Sequence, residues 1–324
     1  MINVAPRRLQ IMSGRVHPGL AKEVAKLLGV PIHTVQLSNF ANGEISCTLG
    51  ESVRDSDVFI IQTHGGNVND ALMEQAIMID AAKRASARSI TAVTPFLGYA
   101  RQDRKSNGRE PITARLVVDL LAQAGADRIM SVDLHAGQIQ GFFNGPFDHL
   151  IARPILCEYI KKHFSTKNLV IVSPDAGRVK STERYGSDLG CDIAIIHKQR
   201  STTKKNSVEA RYLIGDVTGK TCLIVDDMVD TAGTICAAAD LLAQNKVKAI
   251  YGVATHGVLS DPALQRINDS SFTKVIVTNT LAPENTIKSK KIVTLSIAPL
   301  IADAIGAVFA GNSVSALFDG KNQF

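Results

Sequence analysis

Cys222-Leu-Ile-Val-Asp226-Asp227-Met-Val-Asp230-Thr231-Ala232-Gly233-Thr234 is an apolar run that ends in paired carboxylates and continues through small, hydroxylated residues into the helical pattern of 235–244. A continuous apolar run of this length reads as a strand buried on both faces, the mark of a parallel sheet covered by helices. Five further runs, 58–62, 90–93, 129–132, 169–172 and 250–253, also stop abruptly at polar or glycine-containing segments. Strands that alternate with helical patterns in this way predict an α/β fold.

With 324 residues, 45% of them hydrophobic, the chain is long enough for two such domains. It also resembles itself. Asp119-Leu-Leu-Ala-Gln123 recurs as Asp240-Leu-Leu-Ala-Gln244, and the pairs Thr113/Thr234 and His135/His256 keep the same separation. Spacing this long points to duplicated α/β halves and not to a solenoid. Proline, glycine and aromatic residues at 147–154 break the pattern, so the expected domains are 1–151 and 152–324.

At the end of the 222–225 run, the carboxylates stand at the sheet edge where open α/β folds bind ligands. Gly233 permits a tight turn, and Thr231 and Thr234 add hydroxyls to the free N–H groups of a helix start, which makes a phosphate cradle. Asp226 and Asp227 beside a phosphate would be self-defeating unless they accept hydrogen bonds from sugar hydroxyls or hold a metal. A phosphorylated sugar meets both demands. The plainer alternative is a turn opened by two aspartates with Thr234 as the helix cap.

Other classes are disfavoured. The first nine residues lack a signal-peptide core and no segment reaches the roughly 20 apolar residues of a membrane span, so a cytoplasmic protein is expected. The five cysteines are scattered and never spaced as C-x-x-C, which supports neither a disulfide framework nor a structural zinc site. A net charge of +6 suits anionic ligands, but the basic residues are spread out and form no nucleic-acid module.

The 222–234 segment resembles the phosphoribosyl-diphosphate-binding motif of the type I phosphoribosyltransferase fold, which by itself does not separate a transferase from a synthetase. Four further segments extend the likeness over nearly the whole chain, which resembles the ribose-phosphate diphosphokinase family. The resemblance implies two similar type I phosphoribosyltransferase-like domains, each a mainly parallel sheet flanked by helices. It implies transfer of the terminal diphosphate of ATP, with magnesium (Mg2+) as cofactor, to the C1 hydroxyl of ribose 5-phosphate. Asp226, Asp227, Asp230, Thr231, Ala232, Gly233 and Thr234 match its ribose 5-phosphate loop.

The nucleotide elements fall mostly in the first half. Phe40-Ala-Asn42-Gly43-Glu44 matches the family's adenine loop, although Phe40 taken alone reads more readily as a core aromatic. Within 95–105, Arg101 and Gln102 match ATP contacts; a guanidinium can hold phosphate or stack on adenine, and the alternative is a solvated basic loop. His135, in Ser131-Val-Asp133-Leu-His135, and Asp175, in Ser173-Pro-Asp175-Ala-Gly177, match positions that contact magnesium, directly or through water. The family commonly has a second glycine after Gly177, where this chain has Arg178. Lys198 and Arg200, entering the polar tract 201–207, match the catalytic cations of a loop that closes over the nucleotide.

Ser313, Ser315 and Phe318 resemble part of a regulatory site between subunits that answers to inorganic phosphate and ADP, with Ser52 and Arg54 opposite it. The resemblance also implies a homo-oligomer, a hexamer. Two competitors remain: a base phosphoribosyltransferase, which needs only one such domain, and a regulatory subunit that has kept the fold and lost the chemistry.

Overall fold

The computed structural model describes residues 7–199, 210–282 and 289–318. Contacts divide the chain into two compact units, with the break between Ile151 and Ala152.

The first unit is built on a five-stranded parallel sheet ordered β1 (Arg8–Ser13), β4 (Ser56–Ile61), β5 (Ser89–Thr94), β6 (Arg128–Val132) and β7 (Phe147–Leu150). Its strands follow the apolar runs: every residue of β4 is buried. The helices α1 (Pro18–Leu28), α2 (Val68–Arg84) and α3 (Thr113–Ala124) connect them. A separate antiparallel pair, β2 (Val35–Asn39) and β3 (Ile45–Leu49), packs Leu37, Cys47 and Leu49 on the core and carries its tip into solvent.

The second unit has a seven-stranded sheet ordered β10 (Ala210–Ile214), β9 (Asp192–Gln199), β8 (Leu169–Ser173), β11 (Thr221–Val229), β12 (Ala249–Gly257), β13 (Lys274–Thr278) and β14 (Ile292–Leu295). All neighbours are parallel except β9 and β10, which pair antiparallel. The helices of this unit are α4 (Arg153–His163), α5 (Val179–Leu189), α6 (Gly233–Gln244) and α7 (Ala263–Asp269).

Two expectations change. Counted from its first strand, each unit runs strand, helix, antiparallel pair, strand, helix, strand, helix, strand, and β1 lies beside β4 as β8 lies beside β11. In that register α6 corresponds to α2. The repeated pentapeptide instead pairs α6 with α3, one βα step away, so the halves are alike but the sequence match joins successive repeats. The second change concerns the end of the chain. The expected domain 152–324 is not continuous: α8 (Ala298–Ala310) belongs to the first unit. The helix buries Ala298, Ile301, Ala302, Ala304, Ile305 and Ala307, a face so apolar that it needs cover, and α1 supplies it. Ser296 Oγ, which donates to Glu23 Oε1 (2.7 Å), holds the chain in place there.

The five cysteines are free thiols, of which Cys157, Cys222 and Cys236 are buried, and burial pushes Cys157 and Cys222 up to about 12.

Candidate active site

At the C-terminal end of β11, Asp226 and Asp227 are half-buried. The Asp227 N–H donates to Asp226 Oδ1 and the Met228 N–H to Asp227 Oδ1, each at 2.8 Å. Burial, then the neighbouring Asp227 carboxylate, pushes the Asp226 carboxyl well above the usual carboxylate range, to about 8, while the Arg178 guanidinium pulls the other way. Beyond them the chain turns through Ala232 in the left-handed conformation (φ 59°), a geometry that costs an L residue about 1 kcal/mol or more. Helix α6 then starts at Gly233, so Ala232, not Thr234, is its cap, and no side chain of the described residues caps it. The first-turn N–H groups of a helix have no intrahelical acceptor, which is what an anion cradle requires. Arg266, from α7, donates from Nη1 to the Thr231 carbonyl (2.9 Å) and adds positive charge at the rim.

Asp175 stands in the turn after β8. Its Oδ1 accepts from the Gly177 N–H (2.9 Å) and caps the short 3-10 turn Ala176–Arg178. Arg178, the residue in the family's usual glycine position, reaches from that turn to β11. Its Nε meets Asp226 Oδ1 (3.0 Å) and its Nη2 pairs with Asp227 Oδ2. Lys198 lies in the β9–β10 ladder opposite Arg211. Arg200 lies outside the described residues.

In the first unit, Phe40 is 59% exposed at the β2–β3 tip, which removes the core-aromatic reading. The tip is internally tied: the Phe40 N–H donates to the Glu44 carbonyl (2.8 Å), the Gly43 N–H to the Phe40 carbonyl (2.9 Å) and Asn39 Nδ2 to the Gly43 carbonyl (2.9 Å). Gly43 sits at φ 93°, where a side chain would be strained. Asn42 Oδ1 accepts from the Glu44 N–H (3.2 Å).

The loop at 95–105 is anchored at its root. The buried His64 accepts the Gly98 N–H at Nδ1 (3.1 Å) and bonds Gln75 Oε1 through Nε2 (2.9 Å), while Thr63 Oγ1 accepts the Phe96 N–H (3.2 Å). Burial lowers the His64 ring to about 4, so it is neutral. Arg101 and Gln102 are exposed on this rooted loop, and Thr113 Oγ1 donates to Gln102 Oε1 (2.5 Å). His135 follows the left-handed Asp133 (φ 37°) at the end of β6, and Gln138, just beyond it, bonds the buried Asp103 of the cationic loop. The basic-loop and His135 segments are therefore tied together.

Ser52 and Arg54 lie between β3 and β4, where Arg8 Nη2 donates to the Arg54 carbonyl (2.8 Å). Ser313 precedes the 3-10 turn Val314–Phe318, which contains Ser315 and buries Phe318.

Residues 9–125 match the model of the N-terminal domain of ribose phosphate pyrophosphokinase, and 211–319 match that of the phosphoribosyl synthetase-associated domain. The chain is 51% identical over 313 residues to a ribose-phosphate pyrophosphokinase of Streptomyces coelicolor, covering 97% of both chains. It is 51% identical over 316 residues to that of Bifidobacterium longum, covering 97% of this chain and 93% of the relative. The chain belongs to the ribose-phosphate pyrophosphokinase family. The crystal structure of phosphoribosylpyrophosphate synthetase from Mycobacterium smegmatis superposes with a TM-score of 0.89 at 50% identity, over 94% of this chain and all of that one.

A ribose-phosphate pyrophosphokinase uses ATP and so calls for a divalent metal. Among the described residues no three His, Cys, Asp or Glu side chains cluster as a metal cage. Donors that come singly, such as Asp175 and His135, fit an ion that keeps its waters and arrives on substrate phosphates. Sequence reasoning assigned no role to Arg178 or Arg266. Arg178 was visible only as a departure from glycine, and Arg266 carries no local signal because its carbonyl partner is brought to it by the sheet.

Proposed function

We propose that this chain transfers the β,γ-diphosphoryl group of ATP to the C1 hydroxyl of ribose 5-phosphate, giving 5-phosphoribosyl 1-diphosphate and AMP. The full-length match to pyrophosphokinases carries the reading, because a base phosphoribosyltransferase needs only one of the two domains. The C1 oxygen bonds to the β-phosphorus, the bond from that phosphorus to the α,β-bridging oxygen breaks, and the hydroxyl proton is lost.

Each residue has a stated task. Asp226 and Asp227 accept hydrogen bonds from the ribose hydroxyls. Asp230, Thr231, Ala232, Gly233 and Thr234 hold the 5-phosphate through N–H groups and hydroxyls at the start of α6. Phe40 stacks on the adenine, with Asn42, Gly43 and Glu44 at its edge, and an exposed ring on a preformed hairpin tip suits that task. Arg101 and Gln102 hold the nucleotide. His135 and Asp175 would hold magnesium, which when bound neutralises phosphate charge. Lys198 and Arg200 stabilise the charge that develops on the transferring oxygens.

The regulatory reading is part of the same proposal. Ser52, Arg54, Ser313, Ser315 and Phe318 resemble residues of a site for phosphate and ADP in a hexamer, and phosphate titration of the activity tests it. The reaction is tested by AMP release from ATP with and without ribose 5-phosphate. Sugar-dependent AMP is expected; inertness would favour a regulatory subunit.

A further inference from the structure

Among the described residues the β8–β11 ladder ends at Val172↔Ile224. The edge of β11 that faced β8 is therefore left without a strand partner where Asp226 and Asp227 stand. The turn following β8 supplies what lies there. It is fixed at several points: Ser173 Oγ donates to the Asp175 carbonyl (2.7 Å), the Gly177 N–H to Asp175 Oδ1 (2.9 Å), and Thr182 Oγ1 to the Arg178 carbonyl (3.0 Å). From this turn Arg178 places Nε on Asp226 Oδ1 and Nη2 on Asp227 Oδ2. Side chains of successive strand residues leave opposite faces of a sheet, so one guanidinium touching both carboxylates fixes two independent orientations. A planar fork does this with two donors at a fixed separation and angle, whereas an ammonium, a compact point charge, can bridge two carboxylates without fixing their orientation.

We propose that Arg178 is a positioning residue for the sugar phosphate, holding the Asp226 and Asp227 carboxylates turned together at the open edge of β11 so that their remaining lone pairs receive the ribose hydroxyls. The inference rests on the reading of this pair as ribose-facing. A carboxylate has about four lone-pair sites, so the Arg178 contact and the backbone N–H that each carboxylate also accepts do not fill it. The same contact ties the pair to the turn that carries Asp175. Arg178 thus acts through the aspartates and touches no reacting atom.

The test compares Arg178→Gln, which keeps a hydrogen-bond donor on a shorter side chain without charge, and Arg178→Lys, which keeps charge without the fork. For each, the KM values for ribose 5-phosphate and ATP, kcat and the thermal midpoint are measured on the full-length protein. Arg178→Gln is expected to raise the KM for ribose 5-phosphate about 10-fold and leave that for ATP within about twofold, with Arg178→Lys between it and the wild type. An unchanged or lowered KM for ribose 5-phosphate overturns the proposal. So does an equal loss on both substrates together with a lowered midpoint, which is what loosened packing would give. Should the glutamine variant not fold, the lysine variant decides: a raised KM for the sugar alone supports the proposal, and wild-type values for both substrates overturn it. Wild-type AMP release in the same assay separates the two levels. Active wild type with indifferent variants removes only the task of Arg178, whereas wild type inert to ribose 5-phosphate removes the function as well.

Discussion

Replacing Asp226 with asparagine should make the protein more stable and its use of the sugar worse. Burial and the Asp227 carboxylate raise the Asp226 carboxyl from 3.8 to about 8. A shift of about 4 units corresponds to about 5 kcal/mol needed to keep the group ionised. Asparagine escapes that cost, which is already net of the attraction of Arg178 for the ionised group. The gain is therefore up to about 5 kcal/mol above pH 8. The sign follows from proton binding: between about 4 and 8 the folded protein holds more protons on this carboxyl than the unfolded chain does. The wild type is therefore at no disadvantage near pH 4, falls behind as pH rises, and levels off above about 8. Thermal unfolding of both proteins across this range reads the gain, and kcat/KM for ribose 5-phosphate reads the loss, about 10- to 100-fold for a missing acceptor. A variant less stable than wild type above pH 8, or one with undiminished kcat/KM for the sugar, would refute the reasoning.

Three other outcomes are expected. Phe40→Ala removes an exposed ring, so stability should stay within about 0.5 kcal/mol while the KM for ATP rises about 10-fold; a loss of stability without a change in that KM would make Phe40 structural. His64, lowered to about 4, binds fewer protons folded than unfolded, so its contribution is full above about 6.5 and lost toward pH 4, by about 3 kcal/mol. Denaturant unfolding should find the gap between wild type and His64→Gln narrowing over that range, and a constant gap would contradict it. Lys198→Ala should fold and bind ATP yet turn over about 100- to 1000-fold more slowly in a steady-state assay, and near-normal turnover would remove Lys198 from the mechanism.

Strand ends were the most legible part of the sequence. Buried parallel strands are continuous apolar runs, so 58–62, 169–172 and 222–225 give both the sheet and the edge where its ligands bind. The Asp226–Thr234 loop was legible for the same reason, since its chemistry lies within a single stretch. What depends on the partner of a residue was not legible. Phe40 reads as core until the hairpin carries it out of the core, and α8 reads as part of the second half until the chain is seen to return to α1. The repeated Asp-Leu-Leu-Ala-Gln misled on register because both copies meet the same local demand, a helix packing between two parallel strands. Arg178 reads only as a departure from glycine, since nothing local says that its guanidinium reaches two aspartates on another strand.

The most direct test of the reaction follows the β-phosphorus. With ATP labelled at that atom and ribose 5-phosphate present, the label should pass entirely into the sugar 1-diphosphate while unlabelled AMP is released in equal amount. Label found in ADP or orthophosphate, or label retained in ATP while the sugar is unchanged, would contradict the account.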